Sequence, residues 1–451
     1  MATSLQQYPT SPNMVNNNLV YEVTSTEITQ PQFQFVVDIK DESNTLIQRI
    51  KQQPNLSGKG VFDIGQILSS QLGPTDESWK TTTPQANSFS GGDFNIYFGE
   101  EYGTSVSSSV TLYTGVASNV GSPAVTGSGY TFLLDGFANP NDLIDWNWNS
   151  GSKYQEEDPL DDSIFTHQFG LTDFDTNKVK AGDYGTISIL RGNANGFFPP
   201  FIDSAQDVFA ATYRQYDSSG TLLDTDILYD TFSGLRTLQT QRWSDVYTSQ
   251  SEATRLVHYP AGPQNLTDVG VPILGDTAYY TVTFNAQATD TFVNQDGVWG
   301  VYRYDIDNGT CDFPGVRFAW KNKYGVWDYY NFTLAESTVS NVERQEYKEA
   351  FVDYSTTTNS VAYDKSSRGR NNYYNSITKQ HTANSDYLTQ VDADILRELF
   401  FSTDVYVQEG TAFLPVVINN ASITEKTNPR SQKLFRYEVQ YQYANGERSR
   451  R

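Results

Sequence analysis

One cysteine (Cys311), three histidines (His167, His258 and His381) and two methionines are all that this 451-residue chain holds of three chemically versatile residue types. With a single cysteine there is no intrachain disulfide, and the residues that most often carry nucleophilic, metal or redox chemistry are scarce. Basic residues are also few, 31 Lys and Arg against 53 Asp and Glu, for a formal charge of -22. Such a surface repels phosphates, which argues against general nucleic-acid binding. No apolar run approaches the roughly 18 residues that a membrane span requires. Residues 1–20 are polar and Asn-rich, lacking a basic segment followed by an apolar one, so no secretory leader is read there and synthesis in a cytoplasm is expected.

What is plentiful favours strands and turns. Aromatics are 14% of the chain, with 30 tyrosines, and Thr, Ser, Asn and Gly are frequent. The expected class is mainly β: consecutive β-sandwich-like domains with one or two short helices. Phe33, Phe35, Val37 and Ile39 alternate with more polar neighbours, as in a strand with one apolar face inward. Residues 41–44 read as a turn and Leu46 to Ile50 as the returning strand. Val61, Ile64, Leu68 and Leu72 share a helical face before Gly73-Pro74. Strands are read again at 94–98, 110–113, 130–134, 184–190, 208–216, 221–228, 279–284 and 298–306. Asp217-Ser218-Ser219-Gly220 makes a hairpin turn between two of them. Residues 342–354 suit strand or helix, and 366–372 a polar, basic loop. Thr389 can cap a helix over 389–400 whose apolar face holds Val391, Ile395 and Leu399. Strands at 405–407, 414–418 and 434–443 follow.

The segmentation that results is a polar arm (1–18), a sandwich-like domain (19–136), an acidic crossover (137–182), a second β domain (183–335) and a C-terminal docking domain (336–451). Charge is divided unevenly among these parts. Residues 341–451 hold 14 basic and 14 acidic residues, leaving 17 basic against 39 acidic in residues 1–340.

Reaction centres are sparse. The acidic run from Glu156 to Asp162 offers carboxylates to a Ca²⁺ ion, but its spacing matches no known loop, so no metal and no cofactor is assigned. Asp305-Ile306-Asp307-Asn308-Gly309 lacks the later ligands of a calcium-binding loop and reads as a hairpin turn. Ser376-Ile377-Thr378-Lys379 has Ser-x-x-Lys spacing with His381 nearby, a short pattern that is common by chance. Asn55-Leu56-Ser57, Asn265-Leu266-Thr267 and Asn331-Phe332-Thr333 fit the glycosylation triplet but lack a secretory route. No catalytic residue is assigned and the chain is read as non-enzymatic. Trp146, Trp148, Trp243, Trp299, Trp320 and Trp327 suit either stacking surfaces or core; for Trp320 and Trp327, which flank one tight turn, core packing is favoured. Two basic patches, Arg368 with Arg370 and Arg448 with Arg450 and Arg451, are the candidate docking contacts.

Four stretches resemble virion structural proteins of tailed bacteriophages, especially phages of marine and Bacteroidetes hosts: Gly60 to Leu68, Phe94 to Gly103, the aromatic hairpin from Arg317 to Phe332, and Ala444 to Arg450. The resemblance implies a particle component without catalytic residues, in the tail or a tail-associated assembly, with a capsid-decorating or neck-ring protein as the alternative. It implies assembly in the host cytoplasm, localisation in the virion, and as partners copies of itself and other virion proteins. A carbohydrate-binding or polysaccharide-degrading tail protein, whose partner would be a host surface glycan, is the reading from a different class.

Overall fold

The computed structural model describes residues 3–9, 13–41, 43–72, 78–81, 85–86, 91–117, 130–136, 153–154, 171–190, 210–229, 256–285, 301–307, 315–349, 352–363, 369–420 and 436–445. Through them the chain is mainly β, as its composition requires. Two compact units are present, one made of residues 1–309 with 320–329 and 402–404, the other of 310–319, 330–401 and 405–451.

The first unit contains two pairs of sheets. In the first pair a four-stranded sheet, ordered Lys153–Tyr154, Thr3–Pro9, Val20–Ser25, Lys59–Asp63, shares a core with a six-stranded one. The path of the latter is Asn13–Met14, Tyr130–Leu134, Gly91–Tyr102, Gln34–Lys40, Leu46–Gln52, with Thr111–Ala117 also paired to Gly91–Tyr102. Inward positions recur every second residue, the strand period: Tyr21 and Val23 on one sheet, Phe35, Val37, Ile39, Ile96 and Phe98 on the other, all buried. Gly60 fills an inward position where a Cβ would lie 2.7 Å from the Phe35 ring. Residues 3–9, expected in a polar arm, form a strand instead, and Thr3 Oγ1 donates to the buried Glu100 across 2.7 Å.

Both faces of Gln34–Lys40 are covered. Asp38 on its outer face is buried and accepts from Arg49 Nε (2.5 Å) and Nη2 (2.7 Å), its cross-strand partner. The helix expected to include Val61 is shorter, covering Gly65–Ser69 only. Val61 lies on the strand Lys59–Asp63 and is exposed, because Gly60 and Phe62 take the inward positions there. The apparent helical spacing of Val61 with Ile64 and Leu68 joined an outward strand residue to two core residues.

In the second pair, a five-stranded sheet (Thr176–Val179, Val301–Ile306, Tyr279–Asn285, Ala210–Tyr216, Leu222–Tyr229) encloses a core with a three-stranded one (Thr186–Leu190, Leu256–Pro260, Gln85–Ala86). Ile187, Ile189, Val257 and Tyr259 meet Tyr213, Tyr280, Val282, Phe284 and Tyr302. An unexpected helix, Pro263–Val269, is framed by Pro263 in its first turn and by Gly270, at φ 90°, just past its end. It carries Asn265 into the interior, where Nδ2 donates to the carbonyls of Trp79 (2.8 Å) and Thr81 (2.7 Å) and Oδ1 accepts from Gly185 N (2.7 Å). The triplet that contains it is therefore structural.

A seven-stranded sheet, most of whose residues belong to the second unit, is ordered Trp327–Phe332, Val316–Lys321, Val405–Glu409, Ala412–Ile418, Glu438–Tyr443, Arg370–Asn384, Leu334–Lys348. Phe318 packs edge to face against Phe332 (5.0 Å between centroids) and Tyr441 (5.2 Å). The expected C-terminal helix is present as Gln390–Leu396 followed by Glu398–Phe401, and Thr389 and Asp392 form a capping box. Its buried face is Ala393, Ile395, Leu396 and Leu399, whereas Val391 is 66% exposed. Val391 lies in the first turn, on the solvent side of that face.

Candidate assembly interface

Two strands of the second unit, Leu334–Lys348 and Arg370–Asn384, run 15 residues each and pair antiparallel along their length. At roughly 3.3 Å per residue each spans about 50 Å. Only residues 381–384 of the second strand pair with the next strand of the sheet, Glu438–Tyr443. From Thr338 and His381 outward the two strands form a ribbon, and after Leu334 every residue of Leu334–Lys348 is exposed. A further two-stranded hairpin, Val352–Ser355 with Ser360–Tyr363, lies within the same excursion of the chain.

Why the sequence forms strands here follows from its residues. Thr, Ser, Val, Ile, Tyr, Asn and Gln dominate both stretches, neither contains Pro or Gly, and β-branched residues favour the pleated conformation. Opposite residues share a face: Thr338 with His381, Ser340 with Lys379, Val342 with Ile377 and Arg344 with Asn375 on one, and Val339 with Gln380, Asn341 with Thr378 and Glu343 with Ser376 on the other. Water reaches both faces, so the apolar alternation that normally betrays a strand is missing, and residues 342–354 read ambiguously for that reason.

The ribbon is anchored at its root. His381 Nδ1 lies 3.1 Å from both Thr338 Oγ1 and Glu336 Oε1, and Tyr441 donates to the same Glu336 oxygen across 3.0 Å. The His381 ring stacks on Tyr441 and meets Tyr443 edge on, each at 5.2 Å. Burial, reinforced by the Glu336 carboxylate, pushes the Tyr441 phenol well above its ordinary pKa, so it remains a donor.

Electrostatically the ribbon shares the charge balance of residues 341–451 and differs from the acidic residues 1–340. Residues 334–349 carry four acids (Glu336, Glu343, Glu346, Glu349) and two bases (Arg344, Lys348), and residues 370–384 add Arg370 and Lys379. Four acids and four bases cancel within a chain of charge -22. Arg370, one of the expected docking residues, begins its strand opposite Lys348 and lies exposed 3.8 Å from Glu346. Arg368, Arg448, Arg450 and Arg451 lie outside the described residues, as do Cys311, the acidic run 156–162, and Trp146, Trp148, Trp243 and Trp299.

The Ser-x-x-Lys pattern falls on the ribbon, and an odd spacing along a strand sends Ser376 and Lys379 to opposite faces. The two cannot meet as nucleophile and base. A closer pair, Ser188 Oγ and His258 Nδ1 at 2.5 Å, joins directly opposite residues of neighbouring strands. Both are buried, and the contact satisfies polar groups inside the sheet. Among the described residues no group of three or more His, Cys, Asp or Glu side chains is placed to hold a metal ion, and no helix is long and apolar enough to cross a membrane.

The aromatic hairpin, the most conspicuous motif in the sequence, is interior. Trp320 and Trp327 are 0% and 1% exposed; Trp327 meets Trp79 at 4.8 Å and Trp320 meets Phe174 at 6.1 Å, both edge to face. Asn322 organises the turn: its Oδ1 accepts from Tyr324 N (3.0 Å) and Val326 N (3.3 Å), and its Nδ2 donates to Leu171 O (2.8 Å) and Asp328 Oδ2 (3.0 Å). These tryptophans do not form an exposed stacking platform. No known protein family and no curated protein matches this sequence.

Proposed function

We propose that the chain is a non-enzymatic structural subunit of a multi-copy particle, a bacteriophage virion, with a tail or tail-associated position. The observation that carries the assembly part of this reading is the ribbon of Leu334–Lys348 and Arg370–Asn384, whose first strand is exposed beyond Leu334 and whose three acids and four bases leave it without the acidity of residues 1–340. A two-stranded ribbon is marginal in isolation and a long unpaired edge is an open template for another strand, so a protein that keeps one has a use for it. Charge balance lets this element approach a neighbour that the acidic residues 1–340 would repel. The virion assignment rests on the resemblance of the four sequence stretches.

Sedimentation velocity over a range of concentrations tests the assembly reading. A shortened variant, in which Asn-Gly replaces residues 339–380, closes the ribbon at the opposed pair Thr338 and His381 with a two-residue turn. The full chain is expected to associate and the shortened one to remain a folded monomer. Equal association of the two, or none by either, overturns the role of the ribbon. Immunogold labelling of released phage particles tests the virion assignment, and unlabelled particles refute it.

A further inference from the structure

Leu334–Lys348 is the last strand of its sheet, so among the described residues its outer edge is unpaired over 15 residues. We propose that this edge pairs antiparallel with the same edge of a second copy, about a two-fold axis that passes Val342. The proposal rests on the assembly reading above and adds its partner and register.

Symmetry restricts the possibilities severely. Two identical antiparallel edges related by a two-fold axis perpendicular to the sheet must have one residue opposite itself, and all other pairs then follow. Centring on Asn341, the middle of the strand, sets Glu336 against Glu346 twice; centring on Glu343, Arg344 or Glu346 sets that charge against its own copy. Like charges directly opposed are destabilising. Centring on Val342 opposes Thr338 to Glu346, Ser340 to Arg344, Val339 to Gln345 and Asn341 to Glu343 over the regular residues 337–347 with no like-charge pair, and brings Glu336, in the irregular stretch between Leu334 and Ser337, towards Lys348 at both ends.

Centring on Ser340 also avoids like charges and turns Glu336 towards Arg344, but it sets Val342 against Thr338 and Ser340 against itself, and centres nearer either end that avoid like charges, among them Thr338, Val339 and Gln345, shorten the paired segment. The Val342 register has an additional gain. Val342 already lies opposite Ile377 within its own ribbon. The two-fold therefore builds one continuous apolar row across four strands, Ile377, Val342, Val342 and Ile377, from side chains that are otherwise wholly or partly open to water. Two marginal two-stranded ribbons become one four-stranded sheet, the size at which sheets acquire independent stability.

Directly opposed residues of an antiparallel pair have Cα atoms about 4.5–5.5 Å apart, inside the range a disulfide bridges, whereas residues displaced by two positions do not. The test is oxidation of single-cysteine variants in a Cys311→Ser background, read on a non-reducing gel, with circular dichroism confirming the fold. Val342→Cys is expected to cross-link into a covalent dimer, whereas Asn341→Cys and Glu343→Cys cross-link only when mixed with each other. Cross-linking of Ser340→Cys in place of Val342→Cys overturns the register. Ribbon-dependent association without a Val342→Cys cross-link overturns the pairing and leaves the assembly reading standing, while a monomer at all concentrations removes both.

Discussion

Lys321 Nζ donates to Asp135 Oδ2 across 2.7 Å, and the lysine side chain is only 6% exposed. The contact links residues 186 positions apart in sequence. Desolvation is the largest influence on Asp135 and raises its pKa, with the Lys321 charge and hydrogen bond opposing it. Replacing Asp135 by Ala leaves Lys321 buried without this counter-charge and is expected to cost about 3–5 kcal/mol in chemical denaturation. The double variant Asp135→Leu with Lys321→Met removes both charges and should recover most of that loss. A single variant as stable as the original chain would mean that water already reaches the lysine.

Gly325 closes the turn of the aromatic hairpin at φ 77°, and a Cβ there would lie 2.2 Å from the carbonyl oxygen of Asp135. Gly410 has a similar φ, 60°, with nothing within 4 Å. Conformation alone predicts a cost of about 1–2 kcal/mol for Gly410→Ala. Gly325→Ala should cost clearly more, because main-chain atoms must also move. Equal melting temperatures for the two variants would show that the hairpin tip relaxes freely.

The helix Gln390–Leu396 separates a cap from an exposed apolar residue. Thr389 accepts from Asp392 N at 3.2 Å, so Thr389→Ala is expected to destabilise by about 1 kcal/mol. Val391→Ala at a 66% exposed site should change stability by less than about 0.5 kcal/mol. Denaturant midpoints measured side by side decide the order, and a larger loss at Val391 would mean that its side chain is covered in solution.

These contrasts mark where the sequence was readable. The strand Gln34–Lys40 was legible because one of its faces is uniformly apolar, and the hairpin around Asp217 because its turn chemistry is local. Val391 and Val61 misled because apolar spacing reports a face only when the element type is right and the face is covered. The helix Pro263–Val269 left a signal in Pro263 and Gly270, but the burial of Asn265 depends on Trp79 and Thr81, some 184–186 residues away. The ribbon was hardest. Its strands gain their pairing from each other across residues 349–369, and with water on both faces no hydrophobic period announces them.

Asp217 ties stability to pH in the hairpin between Ala210–Tyr216 and Leu222–Tyr229. Its Oδ1 accepts from Ser219 Oγ (2.7 Å), Ser219 N (2.8 Å) and Thr221 N (2.8 Å). These bonds, the Ser219 hydroxyl foremost, favour the ionised form and lower its pKa below the ordinary carboxylate value. A lowered folded-state pKa contributes stability that is fully present above the unfolded value of about 3.9 and is lost as pH falls through the lower folded value. Asp217→Asn keeps the shape of the acceptor without its charge. The stability difference between the original chain and this variant should therefore be constant from neutral pH down to about 5 and shrink steadily on further acidification. Denaturation curves at a series of pH values measure it directly. A difference that grows on acidification, or one that does not change at all, would show that the charge of Asp217 does not hold this turn.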